Sequence, residues 1–116
     1  MMTSPNVQLA GFMTTNVDKM SINEDFLSAS SQMLSKLLNT DVKNVTLELQ
    51  TNVAMMRAAS TAPMFNIKLF HNSDQVDSGT KFDYARKVAG WLAKQIRVPE
   101  DRVLVLFVDT RYCNAA

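Results

Sequence analysis

The sequence predicts one α+β domain of βαββαβ order, and three observations support this fold class. First, 116 residues with 47% hydrophobic side chains suit one domain around one core. Second, short runs typical of strands stand before and after two segments whose apolar side chains recur at helical spacing. Third, helix, short polar link and strand occur twice, about sixty residues apart, at 37–49 and at 92–106. Two pseudo-repeated βαβ units, an α/β arrangement of the α+β type, are therefore expected.

The first half of the chain contains two predicted strands around one predicted helix. The largely apolar residues 7–14 predict the first strand. Ser21 and Glu24 match a capping box, which predicts that the helix begins at Ser21, and Asn39 is expected to end it. Residues 45–50 alternate apolar and polar side chains and predict the second strand. The apolar positions of the helix are Phe26, Ala29, Met33, Leu34, Leu37 and Leu38.

The second half repeats this order after residues 54–62, for which the sequence predicts no structure. Alternation in residues 65–69 predicts the third strand. Apolar residues at helical spacing from Phe82 to Ile96 predict the second helix, which Pro99 stops soon afterwards. The apolar run 103–108 predicts the fourth strand, which Asp109 is expected to end.

One face of the predicted sheet has nothing to cover it. Right-handed crossovers place both helices on the same face of the four strands. The uninterrupted apolar run 103–108 then exposes apolar side chains on the opposite face. The first strand does the same, because Ala10 and Phe12 lie on one side of it and Leu9 and Met13 on the other. Such a face usually marks a partner surface, so we expect self-association.

Charge, cysteine and histidine content exclude several function classes. Twelve Lys and Arg against eleven Asp and Glu leave a net charge of +1, which favours neither nucleic acid nor membrane binding. With only Cys113 and His71, one chain forms neither an internal disulfide nor a four-ligand metal cluster, so no metal or cofactor is expected. His71 is expected to be structural and Cys113 an inert thiol. Residues 1–5 do not resemble a secretory signal, so we expect a cytoplasmic protein, exported, if at all, without a signal peptide.

Four short segments carry a resemblance to a known family. They are Thr15-Asn16-Val17, residues 25–28 (Asp-Phe-Leu-Ser), Pro63, and residues 99–103 (Pro-Glu-Asp-Arg-Val) with the apolar strand that follows. In this order the chain resembles the macrophage migration inhibitory factor and D-dopachrome tautomerase family from Val7 to Asn114. The resemblance implies an amino-terminal extension, residues 1–8, before a single domain, residues 9–116. It also implies βαββαβ subunits whose sheets pack together in a homotrimer.

The resemblance also indicates where the catalytic residues of the family would fall. The family's enzymes use an amino-terminal proline as general base, and this position falls on Leu9, whose nitrogen belongs to a peptide bond and has no free lone pair. The family's pocket lysine falls on Thr40, and its pocket tyrosine and asparagine fall on Leu104 and Leu106. Its Cys-x-x-Cys segment falls on residues 64–67, Met-Phe-Asn-Ile. We therefore predict no catalytic residue and regard Leu9, Thr40, Leu104 and Leu106 as vestigial pocket positions.

Three functions are compatible with the sequence. The preferred one is a non-catalytic, cytokine-like or binding module that acts as a homotrimer and has a protein receptor or another protein as partner. The second is a keto-enol tautomerase of the phenylpyruvate or dopachrome type, activated by amino-terminal processing near Pro5 or by a relocated base. The third is a ferredoxin-like regulatory or RNA-binding domain. That domain would need exposed aromatic and basic side chains on its sheet, or a metal-binding Cys-x-x-Cys, and we expect none of these.

Overall fold

Four strands and two helices form two parallel βαβ units joined side by side, as the sequence predicts. The computed structural model describes residues 7–112, so Cys113 and residues 1–6 of the predicted extension lie outside it. The sheet has the order β2-β1-β3-β4, with β1 parallel to β2, β3 parallel to β4, and β1 antiparallel to β3. The elements are β1 (Leu9–Thr15), α1 (Phe26–Leu37), β2 (Val45–Gln50), β3 (Phe65–His71), α2 (Lys81–Ile96) and β4 (Val103–Asp109).

The core lies between the sheet and the two helices, which both pack on the same face. Alternate residues of β1 and β3 point into it and are almost completely buried, while the residues between them face the other way. At Gly11 a Cβ atom would lie 2.8 Å from Cδ2 of Leu47, so any larger residue would force the Leu47 side chain to shift. Neither helix of residues 7–112 is long and apolar enough to cross a bilayer. The main core residues are Leu9, Met13, Phe26, Leu34, Leu38, Phe65, Ile67, Leu69, Val88, Leu92 and Ile96.

Helix α1 begins at Phe26, so the prediction that it begins at Ser21 was wrong. Ser21 instead ends a short 3₁₀ turn, in which the carboxylate of Asp18 accepts a 2.9 Å hydrogen bond from the Met20 amide. Ile22 is extended and separates this turn from α1. The Asp18 side chain thus caps a separate turn, whereas the N-cap residue of α1, Asp25, makes no side-chain capping hydrogen bond.

The carboxyl end of α1 agrees with the prediction that Asn39 ends it. Asn39 has a left-handed backbone conformation, with φ of 52°. The Thr40 amide donates to the Ser35 carbonyl at 2.9 Å and the Asn39 amide to the Lys36 carbonyl at 3.4 Å. This pair of bonds is a Schellman motif, in which asparagine replaces the more usual glycine.

The segment without predicted structure contains a tight two-residue turn. Arg57 and Ser60 exchange two backbone hydrogen bonds of 3.0 Å, and the residues between them, Ala58 and Ala59, have φ of 53° and 59°. The guanidinium of Arg102 donates to four carbonyls of this segment, those of Arg57, Ser60, Ala62 and Pro63, at 2.9 to 3.3 Å. The start of β4 therefore holds the loop in one conformation.

Candidate functional site

Leu9 lies at one end of β1, in a row of four neighbouring residues that crosses the sheet. The row runs from Val45 through Leu9 and His71 to Asp109, one residue from each strand. Leu9 is 2% exposed and its side chain belongs to the core beneath the helices. The position that the resemblance assigns to a catalytic base is thus occupied by a buried apolar side chain.

The chain that leads into Leu9 is held from two sides. The Thr40 hydroxyl donates to the Val7 carbonyl at 2.9 Å, and the Thr40 side chain accepts from Nδ2 of Asn44 at 3.2 Å. The Gln8 amide donates to Oδ1 of Asn72 at 2.8 Å, so a side chain rather than a neighbouring strand bonds the residue before β1. Thr40 is 4% exposed and fixes the backbone in front of Leu9. Thr40 therefore bonds the chain two residues before Leu9, and Asn72 is a contributor that sequence reasoning missed.

Leu104 and Leu106 lie on the opposite face of the sheet from Leu9. They are 40% and 42% exposed, and they project from β4 into the face that no helix covers. Within one subunit the four vestigial positions therefore do not line a common pocket.

His71 is the buried titratable side chain nearest to Leu9, and it lies directly beside it on β3. Its Nδ1 accepts a 3.1 Å hydrogen bond from the Ser73 amide, and its ring packs edge-on against Phe107 with centroids 5.8 Å apart. Burial lowers the pKa of His71, an effect that the charge of Asp109 partly offsets. The neutral ring therefore carries its proton on Nε2 and presents a donor, whereas a general base must present a lone pair.

The charged groups beside His71 are paired with one another. Arg111 binds both carboxylate oxygens of Asp109, at 3.0 and 2.8 Å, and forms a second ion pair with Asp74. The hydrogen bonds from Arg111 lower the pKa of Asp109 to about 2, and the pKa of Arg111 is raised in turn. These residues and Lys81 line a cleft of about 440 Å³. Among residues 7–112, no three side chains of His, Cys, Asp or Glu are grouped so as to hold a metal ion.

The uncovered face of the sheet, which we call the open face, is mostly apolar on β1 and β4 and mostly polar on β2 and β3. One row across it runs Glu48, Phe12, Lys68 and Leu106. Phe12 is 42% exposed and packs edge-on against Phe70, with ring centroids 5.5 Å apart. The expectation that the sheet lacks exposed aromatic and basic side chains was therefore wrong. The open face consists of Thr46, Glu48, Gln50, Ala10, Phe12, Thr14, Asn66, Lys68, Phe70, Leu104, Leu106 and Val108.

Comparison with known proteins decides between the fold families that share this element order. The sequence matches the family model described as macrophage migration inhibitory factor (MIF) over residues 9–116. The chain belongs to the MIF family. This finding confirms the resemblance to the family. Members of the MIF family typically form trimers.

Solved structures of MIF proteins share the fold at low sequence identity. MIF from Trichinella spiralis superposes with a TM-score of 0.81 and 21% identity, over 86% of this chain and 88% of that one. MIF from Oncomelania hupensis gives a TM-score of 0.80 and 18% identity, over 91% and 78%. A MIF homologue from Prochlorococcus marinus gives 0.77 and 21%, over 92% and 95%. These likenesses confirm the βαββαβ fold with its four-stranded mixed sheet and two helices.

Proposed function

We propose that this member of the MIF family is a non-catalytic binding module, cytokine-like in the sense of its family, that acts as a homotrimer and binds a protein partner. The observation that carries the proposal is the backbone in front of Leu9. Thr40 holds the Val7 carbonyl and Asn72 holds the Gln8 amide, so the chain continues through the place where the family's enzymes have a free amine.

The remaining groups near Leu9 do not replace the missing base. The nitrogen of Leu9 is an amide, whose lone pair is delocalised into the carbonyl. His71 points its acceptor nitrogen at the Ser73 amide, and Asp109 is held as a carboxylate by Arg111, with a pKa of about 2. A carboxylate with so low a pKa is a weak proton acceptor near neutral pH. The leucines at 104 and 106 offer no hydrogen bond to a substrate.

The open face supports assembly into a homotrimer. In a single subunit Phe12, Leu104 and Leu106 are each 40 to 42% exposed on a sheet that has no second layer on this side. Packing the open faces of subunits together would remove this apolar surface from water, which is the largest favourable term in protein association. An RNA-binding role is less favoured by the same face, because Glu48 lies in the same row as Lys68 and the other strand-centre residues are mostly apolar.

The test of the non-catalytic role is a tautomerase assay with phenylpyruvate, followed by its ultraviolet absorbance. We expect no turnover above the buffer rate from the full chain, and none from a chain shortened to begin at Pro5. A tautomerase of the MIF family that has an amino-terminal proline serves as the positive control for the assay. Turnover by either of the first two proteins would instead establish the keto-enol tautomerase.

A further inference from the structure

The two helices form a groove that the fold itself does not fill. It has a volume of about 610 Å³, and every residue that lines it belongs to α1 or α2. It therefore lies in the helix layer, and the open face is on the other side of the sheet. The lining residues are Ala29, Gln32, Met33, Lys36, Leu37, Lys87 and Trp91.

The floor of the groove is a second apolar stripe on α1. Ala29, Met33 and Leu37 recur every four residues, next to the fully buried stripe that packs on the sheet, so they lie along one side of the helix. Trp91 of α2 completes the floor, and its ring is stacked on Phe26 with centroids 6.4 Å apart. All four floor residues are only partly buried, so the subunit leaves apolar area uncovered here.

The rim of the groove is positively charged. Lys36 from α1 and Lys87 from α2 are its only charged lining residues, and both are exposed. Both ion pairs found within residues 7–112 belong to Arg111, so neither lysine has a carboxylate partner there. The ammonium group of Lys87 lies 5.8 Å from the centre of the Tyr84 ring, and α1 contains no acidic residue. An apolar floor between two unpaired cations is complementary to an apolar ligand with negative flanks.

We propose that this groove binds an acidic amphipathic helix of a partner protein. Apolar side chains at helical spacing would pack on Met33, Leu37 and Trp91, and acidic side chains beside them would pair with Lys36 and Lys87. A helix suits the groove because its walls are two helices, between which a third packs in the ordinary manner of helical layers. A small molecule suits it less, because the groove is more open than enclosed and would not surround most of a small ligand.

The inference rests on the proposed function in one respect only. If open faces close together in a homotrimer, the helix layer is the surface left for a partner. The groove itself is complete within one subunit, so its binding is measurable whatever the state of assembly.

The test uses Trp91, the only tryptophan of the chain, as a reporter inside the groove. The probes are two synthetic peptides of about 18 residues, or five helical turns, that share one leucine stripe and carry either glutamate or lysine at every flanking position. We expect the glutamate peptide to shift the Trp91 emission to shorter wavelength, saturably and more weakly at high salt, whereas the lysine peptide leaves it unchanged. The double variant Lys36→Glu/Lys87→Glu should lower affinity for the glutamate peptide about tenfold and gain affinity for the lysine peptide.

The matched control is Lys19→Glu/Lys43→Glu, which makes the same change in net charge at two exposed lysines outside the groove. It should bind the glutamate peptide as the unaltered chain does. Equal binding of both peptides, or unchanged affinity after reversal of Lys36 and Lys87, overturns the proposal. A shift of Trp91 emission by decanoate without a response to the glutamate peptide overturns it as well. Sedimentation and phenylpyruvate turnover on the same samples test the proposed function separately, since a monomeric or active protein could still bind the peptide.

Discussion

At the scale of single residues, polar side chains hold backbone groups that no regular element would otherwise hold. Thr40 and Asn72 do so in front of β1, and Arg102 does so for the loop before β3. His71 differs, because burial lowers the pKa of its ring and the charge of the neighbouring Asp109 partly offsets this effect. That pair allows a quantitative test.

We predict that Asp109→Asn lowers the pKa of His71 further below its ordinary value of 6.5. Burial lowers this pKa, the Asp109 charge opposes the effect, and Arg111 and Lys81 act with burial, so removing the Asp109 charge leaves only the lowering influences. As the chain has a single histidine, its ring proton signal in an NMR titration reports this pKa directly. A higher His71 pKa in the variant would contradict this prediction. It would mean that the Asp109–Arg111 ion pair as a whole lowers the pKa of His71.

The dependence of stability on pH follows from the same shift. The pKa of His71 is lower in the folded state than in the unfolded state, so the unfolded state binds more protons between the two values. The contribution of His71 to the free energy of unfolding is therefore complete above about pH 6.5 and is lost as the pH falls through the folded pKa. In Asp109→Asn the loss should continue to lower pH, which urea unfolding between about pH 4.5 and 8 would show.

Sequence reasoning predicted the roles of individual residues in the site less well than it predicted the fold. The resemblance pointed to Leu9 and Thr40, and the Thr40 hydroxyl bonds the Val7 carbonyl two residues before Leu9. It did not reveal that Thr40 binds a carbonyl 33 residues away or that Asn72 binds an amide 64 residues away. Such contacts depend on the register of β1 with β3, which no local pattern contains.

At the scale of elements, the loop between β2 and β3 is the segment whose structure could not be predicted from its sequence. A turn with two left-handed residues ordinarily contains glycine or asparagine, and here Ala58 and Ala59 take those places. The strands were predictable because alternation is a local signal, while this turn depends on Arg102 from another part of the chain.

We predict that Ala58→Gly and Ala59→Gly each stabilise the protein by a few tenths to about 1 kcal/mol. Glycine removes the steric cost of the left-handed conformation, about 1 to 2 kcal/mol, and this exceeds the added flexibility of the unfolded chain, about 0.5 to 1 kcal/mol. The free energy of unfolding in urea measures the effect. Ala54→Gly in the same loop is the control. Because Ala54 has no positive φ, this substitution should destabilise the protein. If all three substitutions destabilised the protein, Ala58 and Ala59 would not be strained by their left-handed conformation.

At the scale of the whole molecule, the two faces of the sheet have different surroundings. One face receives both helices, and the other is open, with its apolar side chains concentrated on β1 and β4. The sequence predicted a covered and an open face, because the uninterrupted apolar run of β4 places apolar side chains on both sides of the sheet. Composition alone did not distinguish a trimer from other assemblies, and the trimer expectation comes from the MIF family.

We predict that Leu106→Glu dissociates the proposed homotrimer into subunits of 13.0 kDa. A carboxylate between open faces loses its hydration at a cost of several kcal/mol, which the neighbouring Lys68 offsets only in part, so the apparent dissociation constant should rise about tenfold or more. Analytical ultracentrifugation of the unaltered chain should give three times the subunit mass. Met20→Glu is the matched control, because Met20 is 91% exposed and lies away from the sheet. A chain that sediments as a monomer without any substitution would contradict the assembly.

The hydrogen bonds from Arg102 to the loop before β3 also determine when this loop can fold. Its carbonyl partners lie 39 to 45 residues earlier in the sequence, so the loop acquires these bonds only when the last strand has docked. Conversely, fraying of the β4 entrance would release the loop in the same opening, although the two are distant along the chain. The last strand and this loop therefore form one cooperative unit, although the loop follows the first βαβ unit in the sequence.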